Sequence, residues 1–370
     1  MAAHAKLSPS ASARWMTCPG SVSLIDKTPS SRSGSSKAAQ RGTAIHEMSE
    51  HALETGHSVD VYLGRVFSGV EMTKDDIEIA RIYVDYVRKA VGDQYYEQKV
   101  SVESVVDDCY GTADAVVARP GHIAVIDLKT GGGEKVTAKD NTQLLIYALG
   151  AYYKFDWIYD INELTLVIVQ PPFSEEADEW RITTEELLDF EKVLIESVER
   201  LTTQSDVFIR SQKACKWCPV KHVCPEHVKI AHEAAASDFA KVVDDLPSWL
   251  EKLPALKQFI DAVQEEAHRR LSEDSASVPG YKLVSGRSSR AWVDIKKVEQ
   301  ELSERLCAIG ADPDMIFKTE LLSPAQTEKA LKKIDVDYGD LIVYKVGSPV
   351  IAPESDKRNA LTSAAEDFSK

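Results

Sequence analysis

Two apolar stretches, joined by a Pro-Gly turn, each carry a carboxylate where a hydrophobic core belongs. "GTADAVVAR" sets Asp114 among alanines and valines. "HIAVIDLKT" runs apolar from Ile123 to Ile126 before Asp127 and Lys129 arrive. Pro120 and Gly121 between them are turn formers, so the pair reads as two adjoining strands. A buried carboxylate needs a partner or a cation. Two acids on adjacent strands repel unless a cation lies between them. This one feature demands a sheet whose interior ends at a charged site.

The flanking segments supply the rest of that sheet. "QKVSVESVV", from residue 98, alternates like a half-buried strand. "NTQLLIYALGAYYKF" predicts a helix, and "ELTLVIVQP", apolar along its length, an interior strand. "TTEELLDFEKVLIESVERLT" predicts a helix capped by Thr183 or Thr184. Upstream, "AAQRGTAIHEMSEHALE" reads as a helix ending near Gly56. A second helix starts at a Thr73/Asp76 capping box and carries Ile77, Ala80, Val84, Val87 and Val91 at helical spacing. The order helix, three strands, helix, strand, helix predicts an α/β class, with a mixed central sheet covered by helices. Beyond it, residues 244–273 read as helical with a break at "PSWLEKLP", and "VPGYKLVSGRSSRAW" as a hairpin or extended segment. Residues 294–335 read as helical, and "DLIVYKVGSPVIAPESDKRNAL" as a strand with a polar tail. The expected organisation is an N-terminal segment over 1–36, including a Ser-rich loop over 29–37, a core over 37–230, and a helical or hairpin extension over 231–370.

The net charge of −15 argues against a non-specific basic coat for DNA, though not against an enzyme acting on it. No run approaches the roughly 20 apolar residues of a membrane span. The first residues lack the apolar stretch of a secretory signal. A soluble, cytoplasmic protein with no membrane partner is expected.

On a strand, Asp127 and Lys129 share one face while Leu128 points to the other. The pair reads either as a salt bridge at a strand end or as a metal ligand beside a phosphate-facing cation. Asp114 on the neighbouring strand favours the second reading. Oxygen ligands of this kind suit Mg2+ or Mn2+. Such an ion activates water and offsets charge on a scissile phosphate, and Lys129 would add a fixed cation there. Gly42, His46 and Glu50 are spaced by four and lie on one helical face. His46 is a candidate third ligand, and Glu50 a helper for a second metal. Gln143 and Tyr147, also four apart, would orient water or grip the DNA backbone.

In order, these motifs resemble the PD-(D/E)XK nuclease superfamily, and within it the RecB-family branch. That branch shows a GxxxHxxxE helix, a GxxD strand, a DxK strand and a QxxxY helix. Here they are Gly42/His46/Glu50, Gly111/Asp114, Asp127/Lys129 and Gln143/Tyr147. The resemblance implies a restriction-endonuclease-like core with a helical C-terminal extension. It implies metal ligation by His46, Asp114, Asp127 and the main-chain carbonyl of Leu128, with Lys129 as the catalytic lysine and Gln143 and Tyr147 behind it.

Cys215-x2-Cys218-x5-Cys224 gathers three thiols. In a reducing compartment this reads as metal binding. Branch members with an iron–sulfur cluster carry one cysteine before the nuclease motifs and three after. By that resemblance Cys18 is the fourth ligand of a 4Fe–4S cluster. The alternative is a structural zinc held with His227 or His222. Cys109 and Cys307 are expected to be packed thiols.

The full chain also resembles a phage and prophage protein family of undefined function, through "HAKLSPSASARWMTCPGS" from His4 and through "LLSPAQTEKAL" and "PESDKR" near the end. Arg269, Arg270, Lys282, Arg287 and Arg290 around Tyr281 and Trp292 read as either a DNA-contacting stretch or a solvated hairpin. The expectation is a Mg2+- or Mn2+-dependent DNA exonuclease of phage recombination or replication, with DNA as partner. An oligomer is allowed, and so is a phage single-strand-binding or annealing protein alongside. The alternatives are a structure-specific endonuclease of the same fold and a DNA-binding module with little cleavage.

Overall fold

The computed structural model describes residues 5–28, 37–236, 246–316, 322–331, 334, 336–353 and 356–361. His4, the loop at 29–36, Leu321 and the Glu354–Ser355 part of "PESDKR" lie outside them. The chain divides into two compact units, residues 1–260 and 261–370.

The first unit begins with α1 (Ser12–Trp15) and α2 (Gly20–Lys27), then α3 (Lys37–Thr55). A two-stranded ribbon, β1 (Val66–Phe67) with β2 (Val70–Glu71), leads to α4 (Lys74–Lys89). The sheet strands follow as β3 (Asp93–Ser101), β4 (Tyr110–Arg119) and β5 (His122–Leu128). Next come α5 (Thr142–Tyr159), β6 (Glu163–Val169), β7 (Asp178–Thr183) and α6 (Thr184–Thr203). The sheet order is β3-β4-β5-β6-β7. Only the β5–β6 pairing is parallel, because α5 crosses over between those strands. The expected α/β architecture, a mixed central sheet flanked by helices, is present.

Period-two alternation sorts side chains to two layers. Ile123 and Val125 of β5 join Leu164 and Leu166 of β6 beneath α5 and α6, against Leu144, Leu149, Leu187 and Leu194. Ile126, Leu128, Val167 and Val169 face the other way, onto Ile45 and Met48 of α3 and Ile77, Val84 and Val87 of α4. α5 is apolar on most of its surface and accordingly buried, with Asn141 capping it by accepting from the Gln143 and Leu144 amides. Thr73 and Asp76 form the expected capping box of α4, and Thr183 with Glu186 caps α6.

Strand β7 was not foreseen. It is a short, charge-rich edge strand, and such strands lack a clean apolar signal. After the core come α7 (Gln212–Lys216), α8 (Pro225–Ala235) and α9 (Leu246–Glu273). Where a break was expected, α9 continues through Pro254. A proline there removes only the helical bond back to Leu250, on a largely exposed stretch.

In the second unit, β8 (Tyr281–Trp292) precedes α10 (Ile295–Ala308), α11 (Pro324–Ala330) and β9 (Ile342–Pro353). β8 pairs antiparallel with β9 rather than folding back on itself. A small core of Trp292, Val298, Leu302, Leu306, Ile316, Leu331 and Leu341 fills this unit. No helix of the described residues is long and apolar enough to cross a membrane.

Candidate active site

The two embedded acids stand where β4 and β5 part. The ladder between these strands ends at Ala115 opposite Ile126. The next amide of β5, that of Leu128, donates instead to Asp114 Oδ2 at 2.7 Å. A side chain thus replaces a backbone acceptor, and the strands separate. The layer alternation of β4 slips at the same place. Ala113 and Val116 both pack on the α5 side, whereas Ala115 and Val117 pack on the other.

Asp127, 2 % exposed, is the deepest group of the site. Its Oδ1 accepts from the Gln143 amide nitrogen at 3.0 Å. Lys129 Nζ stands 2.7 Å from Oδ2 as an ion pair, yet Oδ2 receives no well-directed hydrogen bond. The ammonium also donates to Gln143 Oε1 at 3.2 Å. One amide of α5 therefore bridges anion and cation, which fixes both side chains. Its nitrogen also donates to the Tyr147 hydroxyl at 3.3 Å. Leu128 is buried on the opposite face, as expected.

α3 brings His46 to the second acid, with Nδ1 at 3.2 Å from Asp114 Oδ1. Two features hold that helix in place. Arg41 grips the buried Asp76 of α4 with two 2.7 Å bonds. Gly42 lies so close to the segment after β5 that a Cβ there would stand 3.0 Å from Thr130 Oγ1. Gly111 serves the same end on β4, where a Cβ would meet the Tyr147 ring at 2.9 Å. The motif glycines are close approaches of backbone to neighbour.

Sequence reasoning missed Glu97. It stands opposite Asp114 in the β3–β4 register, at the one step where the ladder between Tyr96/Ala115 and Gln98/Ala113 is interrupted. Its φ is +42°, left-handed for a residue with a side chain. Ligand atoms of His46, Glu97 and Asp114 all lie within 4.8 Å of one another. Glu50, one turn beyond His46 on α3, is outside that group, but its charge acts on Glu97.

The electrostatics follow from this crowding. Burial, then Asp114, pushes the Glu97 carboxyl up to about 7. Burial also raises Asp127, against the lowering by Lys129. Burial would lower both His46 and Lys129, but the carboxylates prevail and raise them, so both favour the charged form. Burial and its acidic neighbours on α3 raise Glu50.

Gln170, just beyond β6, also escaped the sequence reading. It is buried and clasps the glycine-rich turn, accepting from the Val136 amide at 2.8 Å and donating to the Gly131 and Glu134 carbonyls at 2.9 and 2.8 Å. No Cβ at Gly131 or Gly133 would meet anything within 4 Å, so the turn is open.

The cysteines converge from both ends of this unit. The Ile209 amide points at Cys18 Sγ at 3.4 Å, and the Ser211 amide at Cys215 Sγ at 3.5 Å. The Gly20 amide bonds the Val207 carbonyl, and Arg200 bonds the Met16 carbonyl, which ties α1 and α2 to the strand of chain before the cluster. Arg14 feels the charge of both Cys18 and Cys218, and Cys224 that of Cys18 and Cys215. Among the described residues no three of these sulfurs lie within 4.8 Å of one another. His227 is buried, which lowers its pKa, and neither ring nitrogen has a hydrogen-bond partner among the described residues. His222 is half-buried on the turn between Cys218 and Cys224. Trp217, between two of the thiols, is 82 % exposed with Lys216 over its ring, and Lys216 pairs with Glu134 of the glycine turn. Cys109 is packed as expected, and burial pushes its thiol up to about 12. Cys307 is exposed on α10, contrary to expectation, because the apolar stripe of that helix runs through Val298, Leu302 and Leu306.

The basic stretch of the second unit is differently employed. Trp292 is 8 % exposed, and its indole N–H donates to the Leu322 carbonyl, so it offers no face to a base. This corrects the stacking role, since the ring is needed to fill a small core. Arg269 and Arg270 pair with Glu266, and Arg269 also with Glu273, on their own helix. Arg290 pairs with Glu328. Lys282 is half-buried near Asp356, and Arg287 is exposed.

Among solved structures, a candidate exonuclease from Eubacterium rectale is 14 % identical, with a TM-score of 0.33, covering 57 % of this chain and 86 % of that one. The protein SSO0001 is 16 % identical, with a TM-score of 0.26, covering 56 % of this chain and 94 % of that one. Likeness at these scores carries no argument about function. The family comparison spans nearly the whole sequence, residues 4–359, and by it the chain belongs to DUF2800, a protein family of unknown function.

Proposed function

We propose that this protein is a Mg2+- or Mn2+-dependent deoxyribonuclease acting as an exonuclease on linear DNA. The observation that carries the reading is the linked set Asp114, Asp127, Lys129, Gln143 and His46, drawn from two strands and two helices to one sheet end. Its members follow the motif order of the nuclease superfamily that the sequence resembles. The donor set fits a hard divalent ion: carboxylate oxygens with one imidazole, and a buried Asp127 oxygen lacking a directed hydrogen bond. His46, Asp114, Asp127 and the Leu128 carbonyl would hold it. When bound, such an ion makes water a nucleophile at neutral pH and offsets phosphate charge.

The chain's own residues do the rest. Hydrolysis forms a P–O bond to a water oxygen and breaks the bond to a sugar oxygen, which leaves with a proton. Negative charge grows on the phosphoryl oxygens meanwhile. Lys129, held as an ammonium by Asp127, is a preorganised cation for that charge. The Gln143 amide keeps it from swinging away. The open glycine turn leaves room for a strand of DNA, and the exposed Trp217 with Lys216 provides a stacking face beside it.

We infer further that Cys18, Cys215, Cys218 and Cys224 hold a 4Fe–4S cluster of structural role. With no three of these sulfurs within 4.8 Å of one another among the described residues, the set suits a cubane better than a single zinc at about 2.3 Å from each sulfur. A setting in the bacterial cytoplasm, in phage recombination or replication beside a single-strand-binding or annealing protein, belongs to this proposal.

The test is digestion of end-labelled linear DNA with Mg2+ or Mn2+, with circular single-stranded DNA as the endonuclease control. Loss of mononucleotide or short products in Asp127→Ala and Lys129→Ala is expected. Inactivity of the purified protein under both metals, or unchanged activity in those variants, refutes the reading. Cleavage of circles moves it to an endonuclease.

A further inference from the structure

We propose that Glu97 is a direct carboxylate ligand of the divalent cation at the His46–Asp114 pair, a further protein donor that the motif set does not contain. The proposal rests on the metal-dependent reading above and adds a residue to it. Glu97 and Asp114 face each other across neighbouring strands. Like charges directly opposite are destabilising in a sheet, and a lysine or arginine at either position would be the ordinary remedy. Here β3 does the opposite. It breaks its ladder at this step and takes a left-handed φ of +42° at Glu97. The result is that a carboxylate oxygen comes within 4.8 Å of both an Asp114 oxygen and a His46 nitrogen.

That spread matches donors around one small cation. Oxygen and nitrogen ligands at about 2.0–2.2 Å from a common centre lie roughly 3–4.5 Å apart. A second observation points to the same cation. Asp127, nine-tenths buried or more, leaves Oδ2 without a directed hydrogen bond although Lys129 stands beside it. Its charge reaches both His46 and Glu97. Asp127 stands outside the 4.8 Å group but its charge reaches it, and Lys129 is ion-paired with Asp127 and donates to Gln143. A divalent cation satisfies the remainder. With Glu97 engaged, the ion has one fewer water in its shell and is anchored to three strands of the sheet and α3.

The experiment is Mn2+ titration of the full chain, read by electron paramagnetic resonance of free Mn2+ and by water-proton relaxation of the bound ion, with no DNA present. Wild type, Glu97→Gln and Asp114→Asn are compared, with melting in EDTA confirming that each variant is folded. The expected result has Asp114→Asn abolishing binding. Glu97→Gln should weaken it about tenfold or more and raise the relaxivity of the bound ion as a water replaces the carboxylate. If Asp114→Asn abolishes binding while Glu97→Gln binds as wild type does, Glu97 is not a ligand and the metal reading stands. Glu97 is equally ruled out as a ligand if affinity drops with no rise in relaxivity, which marks a field effect only. If wild type binds no Mn2+, or Asp114→Asn binds it unchanged, the metal reading itself falls and takes Glu97 with it.

Discussion

Lys129→Met tests the electrostatic description of the site without any reference to catalysis. Asp127 is 3 % exposed at its side chain and Lys129 27 %, so the acid is the buried partner and the lysine its link to solvent. Removing the lysine strands a carboxylate that burial already raises above its usual range. Burial then favours the protonated form of Asp127 in the native variant, while the unfolded chain, with a carboxyl near pKa 4, releases that proton as the pH rises. The cost therefore grows with pH above that range, by about 1.36 kcal/mol per unit, until the raised native pKa is reached. Breaking a buried pair costs roughly 3–5 kcal/mol in total. For a unit of this size it lowers the melting temperature by on the order of 10 °C. The sign is definite. The deficit relative to wild type is present at pH 7.5, shrinks as the pH falls, and nears the value of one lost hydrogen bond, about 1 kcal/mol, around pH 4. Asp127→Asn should behave oppositely, near neutral or slightly stabilising, because its partner retains water and Gln143. Differential scanning calorimetry in EDTA at pH 4.5, 6 and 7.5 measures this. A deficit independent of pH, or larger at pH 4.5, refutes the account of Asp127 as a buried charge held ionised by Lys129.

Gly150→Ala should destabilise by about 1–2 kcal/mol in urea titration. The added Cβ would stand 2.9 Å from Val100 Cβ and 3.0 Å from the Ser101 backbone nitrogen, a strain exceeding the helix-propensity gain of about 1 kcal/mol. Gln170→Met removes three bonds to the glycine turn and should speed amide hydrogen exchange at Gly131–Val136 while leaving β6 protected. Unchanged exchange there would show that the turn is held otherwise. Cys18→Ser should abolish the broad absorption near about 400 nm of anaerobically purified protein, whereas His227→Ala should keep it. A colourless zinc protein sensitive to His227 instead would move the fourth ligand to the local histidine.

Much of the site was legible because its signals are short-range. Asp127 and Lys129 are two apart on one strand, His46 and Glu50 four apart on one helix, and Gln143 and Tyr147 likewise. The Pro120–Gly121 turn fixes the β4–β5 register from sequence, so the proximity of Asp114 and Asp127 could be reasoned out. The embedded acids announced themselves by standing in apolar strands. The C-terminal third carried no such contradiction. Its basic residues looked like a surface stripe, and only the partners of Arg269 and Arg270 on their own helix, and of Arg290 on α11, revealed them as ion pairs. Trp292 beside arginines is ambiguous in sequence between a stacking face and a core plug, and tertiary packing chose the plug.

Glu97 marks where local reasoning stops, and the reason is geometric. The link between β3 and β4 spans residues 102–109, too long to set a register by turn type, so nothing in the sequence says that Glu97 meets Asp114 rather than a neighbour. Side-chain alternation misleads as well. The slip in β4 at Asp114 and the left-handed φ at Glu97 both break the period-two rule by which faces are assigned. These two irregularities sit opposite each other. They occur where Asp114 has left its ladder to take the Leu128 amide. A sheet gives up regular pairing at that position only if the redirected groups gain partners elsewhere. Asp114 gains His46 and the Leu128 amide, while the Glu97 carboxylate has the Asp114 carboxylate and the His46 imidazole within 4.8 Å. The distortion is therefore stable only if that face is partly protonated or holds a cation. Mn2+ at a hundredfold excess over its Kd should then add about 2.7 kcal/mol to the stability of the wild-type protein.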